Sequence, residues 1–242
     1  MLRVSRARRG WSAVIVGFMV ATMAVIVPTA SAQTVGPCTF PAGGDWFAVT
    51  CWGSTEPLSY ESEEYAVPSN PTASGANFAL WGGMEDAGGD TVLQGVLSWD
   101  GSSWSMYPEY WYANGKDLQG THVPVKAGDT IYSELEAYNC TSAGLCTWAE
   151  TIVDLSNDTG SSQTIGSGVS FTLLLGGVLE VHSASGCAEL PASGHAVFRQ
   201  IGALYLSGAT VTPVFGASTP DKQCSMQKPL WSATSTDFLW TP

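Results

Sequence analysis

The chain has 242 residues, 45% hydrophobic and only 12% charged, with 21 acidic residues against nine basic ones. A balance this acidic excludes recognition of nucleic acid by charge, because phosphate backbones are repelled. Four of the nine bases (Arg3, Arg6, Arg8 and Arg9) lie in the first ten residues, so the remainder is more acidic still.

Those arginines precede an almost wholly apolar run from Trp11 to Val27 and the triplet Ala30-Ser31-Ala32. Basic start, apolar middle and small-x-small end are the order of a secretory signal, so residues 1–32 are read as a signal peptide. The apolar run is short for a spanning helix, and no second one follows. Residues 33–242 are therefore expected to be secreted, soluble, free of the membrane and monomeric. No linker or internal repeat divides them, and their length suits one domain.

The rest of the chain reads as strands and turns in chain order. Trp46 to Trp52 is a short apolar run, and Tyr60 to Val67 is a second strand ended by Pro68. Phe78 to Trp81 leads into the glycine pairs Gly82-Gly83 and Gly88-Gly89. Thr91 to Trp99 closes at the Asp100-Gly101 turn, and Trp104 to Tyr112 at Asn114-Gly115. His122 to Val125 and Thr130 to Tyr138 flank Ala127-Gly128-Asp129. Trp148 to Leu155 enters a turn over residues 156–160, and Phe171 to His182 is interrupted by Gly176-Gly177. Ala196 to Leu206 and Ala209 to Phe215 follow, and the tail from Thr219 to Pro242 reads as irregular. Many short strands with turn signals at this spacing indicate an all-β, two-sheet antiparallel sandwich.

All six cysteines lie beyond residue 32, and an even number in an exported chain reads as disulfides. The local pairs Cys38–Cys51 and Cys140–Cys146 leave Cys187 for Cys224. With no Cys-x-x-Cys and three histidines, a zinc site is not indicated, and no cofactor is implied.

The familiar nucleophile and nucleotide motifs are missing. Two polar residues stand out within apolar strands. Gln94 shares a face with Val92 and Val96, and Glu180 shares one with Val178 and His182. An unpaired buried amide or carboxylate is costly, so each must find a partner, face a cleft or lie on a wet sheet face. Glu189, beside Pro191, reads as loop.

Several segments taken in order resemble the glutamic peptidases (eqolisins). Trp81-Gly82-Gly83 and Leu93-Gln94-Gly95 are similar to the family's Trp-x-Gly and Leu-Gln-x-Gly. Trp104-Ser105-Met106-Tyr107-Pro108 is similar to its Tyr-Glu-Trp-Tyr-Pro, and Ala127-Gly128-Asp129 to its Ser-x-Gly-Asp turn. Residues 153–160 resemble its Asn-Leu-Thr-Thr-Gly hairpin, and Phe198 to Gly202 its Ala-Asp-Phe-Gly stretch. The likeness spans roughly Trp46 to Val214. The chain departs from the pattern at Ser105-Met106, at Val181-His182, at Gln200-Ile201 and after Trp-x-Gly, where the family's Asp is replaced by Glu85 or shifted by one to Asp86. The resemblance implies a jelly-roll or concanavalin-like sandwich acting as a secreted acid endopeptidase on proteins or peptides. Glu180 would be the general base and Gln94 the oxyanion donor, with Trp81, Glu85, Trp104 and Tyr107 contacting substrate and His182 beside Glu180. The alternative, suggested by the many aromatics, is a carbohydrate-binding or other binding module on the same scaffold.

Overall fold

The structure, a computed structural model, describes residues 34–37, 45–112, 116–219 and 223–242. The signal segment and Cys38, with its expected bridge to Cys51, lie outside the described residues. In chain order the strands are β1 (Thr34–Pro37), β2 (Trp46–Ser54), β3 (Leu58–Ala66), β4 (Asn77–Asp86), β5 (Thr91–Trp99), β6 (Trp104–Tyr112), β7 (Leu118–Gln119) and β8 (Val123–Val125). They continue as β9 (Thr130–Tyr138), β10 (Thr147–Asp154), β11 (Thr159–Gly166), β12 (Phe171–Ser183), β13 (His195–Tyr205), β14 (Gly216–Ser218), β15 (Leu230–Ser232) and β16 (Ser235–Leu239).

Two antiparallel sheets result, as expected. The first runs β1-β2-β12-β4-β5-β6-β7, with β14 also on β2 and β8 also on β6; the second runs β11-β10-β9-β3-β13-β16-β15. The core lies between them. Leu80, Met84, Leu93, Leu97, Met106 and Leu179 of the first sheet meet Leu58, Ile131, Leu135, Trp148, Ile152, Phe198 and Phe238 of the second. On the other face of the first sheet a smaller cluster joins Val49, Ala79, Trp81, Val92, Val96, Tyr107, Leu175 and Val178. That face carries the cleft. Both faces of β4 and β5 are thus apolar and buried, which explains their near-continuous hydrophobic sequences.

Five sequence expectations are corrected. The tail is not irregular: β15 and β16 form a hairpin that pairs with β13, and the Cys187–Cys224 bridge ties it down. The alternation in Ser235–Leu239 drives this, since Phe238 is buried in the core. Residues 209–215 are not a strand, because this segment carries the chain from β13 in the second sheet to β14 in the first. It keeps only an isolated bridge at Thr210. β11 was not foreseen; its polar Gly-Ser-Ser-Gln-Thr run forms an edge strand whose demands are set by β10. Gly82-Gly83 does not end its strand, and Gly176-Gly177 forms a register shift between Leu175 and Val178 rather than a break. The Cys140–Cys146 bridge is formed as expected.

The core also holds acids. Glu61, Glu63 and Glu150 are fully buried from water, and Ser133 lies among them. Gly82 and Gly95 make this possible. A Cβ at Gly82 would overlap the Glu63 carboxyl, and one at Gly95 would overlap the Ser133 hydroxyl. Tyr65 donates its hydroxyl to the Gly95 carbonyl at 2.8 Å, and Gln163 donates to Glu150 at 2.8 Å. Neither oxygen of Glu61 or Glu63 has a hydrogen-bond partner among the described residues. Desolvation dominates: it raises Glu63 to about 8 and Glu150 to about 8, and lifts Glu61 well above its ordinary value with Glu63 adding to it.

These shifts set a pH dependence of stability. The unfolded chain ionises such glutamates near their ordinary value of 4.5, whereas the folded chain keeps Glu63 and Glu150 protonated to about 8. Folding is therefore most favoured below about 4.5 as far as these groups are concerned. Each group removes about 1.4 kcal/mol per pH unit as pH rises through that window. Urea midpoints measured from pH 4 to pH 8 should fall steadily. The Glu63→Gln and Glu150→Gln variants should each flatten the slope; a slope unchanged in both would show that other groups set it.

Candidate active site

The cleft has a volume of about 600 Å³ and is lined by side chains from β2, β4, β5, β6, β7 and β12. Strand parity decides who reaches it. Along β5, Val92, Gln94 and Val96 point into it; along β6, Tyr107, Glu109 and Trp111 do. Pairing places Gln94 directly opposite Glu109. Gln94 Nε2 donates to Glu109 Oε2 at 2.7 Å, and Gln119 Nε2 donates to Glu109 Oε1 at 2.7 Å. His122 Nε2 stands 3.1 Å from Gln119 Oε1, and its ring stacks on Tyr107 at 3.8 Å between centroids. Because the Gln119 oxygen faces it, His122 carries its proton on Nε2 in this contact. Burial raises the pKa of Glu109, the amides of Gln119 and Gln94 pull it back, and Asp117 and Glu180 push it up again.

Glu180 occupies a different part of the same cleft. Its carboxylate accepts from Trp81 Nε1 at 2.9 Å, and Trp81 meets Trp46 edge to face at 5.3 Å. His182 Nδ1 lies 3.9 Å from Glu180 and 3.5 Å from Asp45. Burial raises the Glu180 pKa, and His182 is the largest influence pulling it down, followed by Trp81. Asp45, Glu180 and His182 bring their donor atoms within 4.8 Å of one another, the one group among the described residues with the composition and spacing to hold a metal ion.

The sequence reading paired Glu180 with Gln94; both line this cleft, at different levels of the sheet. Glu180 is level with Ala79 of β4, whereas Gln94 is level with Gly83. Four residues along β4 and two strand spacings across put the two backbones roughly 16 Å apart. The side chain level with Gln94 on β12 is Leu175. The carboxylate that meets the Gln94 amide is Glu109, which the sequence reading missed. Its signal was available: Glu109 is one alternation step beyond Tyr107, on the face that faces Gln94.

The expected substrate residues divide. Trp81, Glu85 and Tyr107 line the cleft. Trp104 does not: it is 2% exposed in the inter-sheet core, packed edge to face on Phe78 and beside Trp99, with its Nε1 donating to Asn70 at 3.1 Å. Parity is the reason, since Trp104 lies an odd number of residues from Tyr107. Glu189, expected in a loop, ends a short 3-10 turn (Cys187–Glu189) and is half-buried, its carboxylate accepting from Ser185.

Solved structures now place this architecture. The chain is similar to scytalido-glutamic peptidase solved with a peptide-based transition-state analogue, with a TM-score of 0.62 at 16% identity over 82% of this chain and 98% of that one. It is also similar to SCP-B, a member of the eqolisin family of peptidases solved with the tripeptide Ala-Ile-His, with a TM-score of 0.56 at 16% identity over the same shares. No protein-family model and no curated protein matches the sequence. The chain has the fold of the eqolisin-like glutamic peptidases.

Core and cleft aromatics should behave differently. Trp104→Ala should destabilise the fold by about 3–5 kcal/mol, the range for emptying a buried aromatic site. Tyr107→Ala, at the cleft, should cost clearly less. Chemical denaturation of both variants decides this, and equal losses would contradict the assignment of faces.

Proposed function

We propose that this chain is a secreted peptide hydrolase of the glutamic type, in which Glu109 and Gln94 perform the chemistry. The observation that carries the reading is the 2.7 Å contact between Gln94 and Glu109 inside a cleft of a peptidase-like scaffold. Ionised Glu109 takes a proton from a water as that water attacks the scissile carbonyl. The second N–H of the Gln94 amide donates to the oxyanion, stabilising charge that exists only in the transition state. Protonated Glu109 then returns its proton to the leaving amine. Gln119 holds the Glu109 carboxylate in place throughout. Glu180, held by Trp81, contacts the substrate further along the cleft.

The raised pKa of Glu109 bears on the working pH. A base must be ionised, so turnover rises with pH through values above the usual carboxylate range. The buried glutamates of the core weaken the fold as pH approaches about 8. Together these favour weakly acidic conditions over strongly acidic ones.

A second reading has one observation in its favour. Leu175, level with Gln94 across β4, offers no carboxylate on that side, which suits a cleft that binds peptides without cutting them. Hydrolysis of a denatured protein substrate from pH 3 to pH 8 separates the two. The reading as a hydrolase expects cleavage that falls at least about a hundredfold in Glu109→Gln and less in Glu180→Gln. The reverse ranking would restore Glu180 as the base. No cleavage by the folded, disulfide-bonded protein at any of these pH values would leave the binding reading.

A further inference from the structure

In the part of the cleft that holds Glu180, one ring nitrogen and two carboxylate oxygens come together. His182 Nδ1 lies 3.5 Å from Asp45 Oδ2 and 3.9 Å from Glu180 Oε1, and all three donor atoms fall within 4.8 Å of one another. The backbone sets this arrangement. Glu180 and His182 are two residues apart on β12 and project from one face. Asp45, immediately before β2, is pinned beside them: its carbonyl accepts at 2.6 Å from the N–H of Val181, the residue between the other two. Trp81 Nε1 donates to Glu180 Oε2 at 2.9 Å, which leaves Oε1 on the side of His182.

Both separations from His182 are longer than the roughly 2.7–3.2 Å of a good N–H···O hydrogen bond. They are close to a different spacing. Ligand atoms about 2.0–2.2 Å from a tetrahedral zinc ion lie roughly 3.4 Å from one another. The Asp45 side chain, 59% exposed, has room to close the remaining difference. Charge points the same way. Asp45 and Glu180 carry two negative charges, and one imidazolium would offset only one of them. Glu85, Glu109 and Asp117 add further acids to the lining, and no lysine or arginine lines the cleft. A divalent cation offsets both charges and takes the neutral imidazole as a ligand.

The donor set selects among such cations. Magnesium and calcium seek about six or more oxygen ligands, whereas one imidazole nitrogen with two carboxylates suits zinc. We propose that Asp45, Glu180 and His182 form a binding site for a divalent transition-metal ion of the zinc type. Trp81 is its outer partner, orienting the Glu180 carboxylate. Three protein ligands leave a fourth position for water or a bound group. The ligands come from one face of β12 and from the residue before a neighbouring strand, so no Cys or His spacing announces them. The site stands independently of the reading as a hydrolase.

Zinc chloride is titrated by calorimetry at pH 7 into the folded, disulfide-bonded protein, free of any affinity tag. One zinc should bind per chain. His182→Ala and Asp45→Ala should each weaken binding more than tenfold, and Trp81→Phe by about tenfold, as loss of an outer partner does. His182 and Asp45 are 45% and 59% exposed, so neither substitution empties the core, and near-ultraviolet circular dichroism checks that each variant is native. Cobalt(II) in place of zinc should give the intense visible absorption of a tetrahedral site, and His182→Ala should abolish it. No zinc binding by the wild type overturns the proposal, as does binding left unchanged in both His182→Ala and Asp45→Ala. Magnesium chloride binding as tightly as zinc overturns it too, because a diffuse field of acids, and not a coordinated ion, would then be responsible.

Discussion

The two-residue period of β4, β5, β6 and β12 divides each strand between a core shared with the second sheet and an outer face that forms the cleft. Every assignment at the site depends on that division and on the pairing between these strands. Parity sends Tyr107 and Glu109 outward and Trp104 and Met106 inward. Pairing then sets Glu109 against Gln94 and leaves Glu180 level with Ala79. A slip of one residue would turn Gln94 into the core and bring Leu93 out, destroying core and cleft together. Stability and site geometry are thus fixed by one register.

The same sheet is shaped from behind by acids that have no counter-ion. Glu63 fits under Gly82, and Ser133 fits under Gly95, immediately before and after the cleft residues Trp81 and Gln94 in space. The missing side chains let polar groups of the second sheet approach the backbone that carries the site. Protonated, these carboxyls are tolerable in the core; ionised, each would be a buried charge without a partner. Burial lifts the cleft carboxyls Glu85, Glu109 and Glu180 as well. The molecule therefore has two sets of raised glutamates, one governing the chemistry of the cleft and one governing whether the sheet stays closed.

Much of this was legible in the sequence, and the failures are instructive. Alternation in Thr91–Trp99 showed Gln94 on the same face as Val92 and Val96, and that is its face. Signals of turn and period gave the longer strands of both sheets but missed the polar edge strand β11 and the short strands β14, β15 and β16 near the C-terminus. What a single strand cannot show is its neighbour's register. Glu180 was paired with Gln94 through the resemblance to the glutamic peptidases; Gly176-Gly177 shifts β12 by a residue against β4, and nothing local reveals at which level of the cleft the shift leaves Glu180. Trp104 was given a substrate contact through the resemblance of its segment to the glutamic peptidases, although counting by twos already separated it from Tyr107.

The arrangement around Glu109 also distinguishes a site from a structural polar cluster. Glu61 and Glu63 lie in the core without donors, out of reach of any ligand. Glu109 has two amide donors that fix both of its oxygens, and one of those amides belongs to a residue that still has an unused N–H and an unpartnered oxygen in the cleft. A carboxylate needed only for stability would be best served by complete pairing of everything around it. Here both oxygens of Glu109 are paired, while the Gln94 oxygen and one Glu85 oxygen are buried at the wall of the cleft without a partner among the described residues.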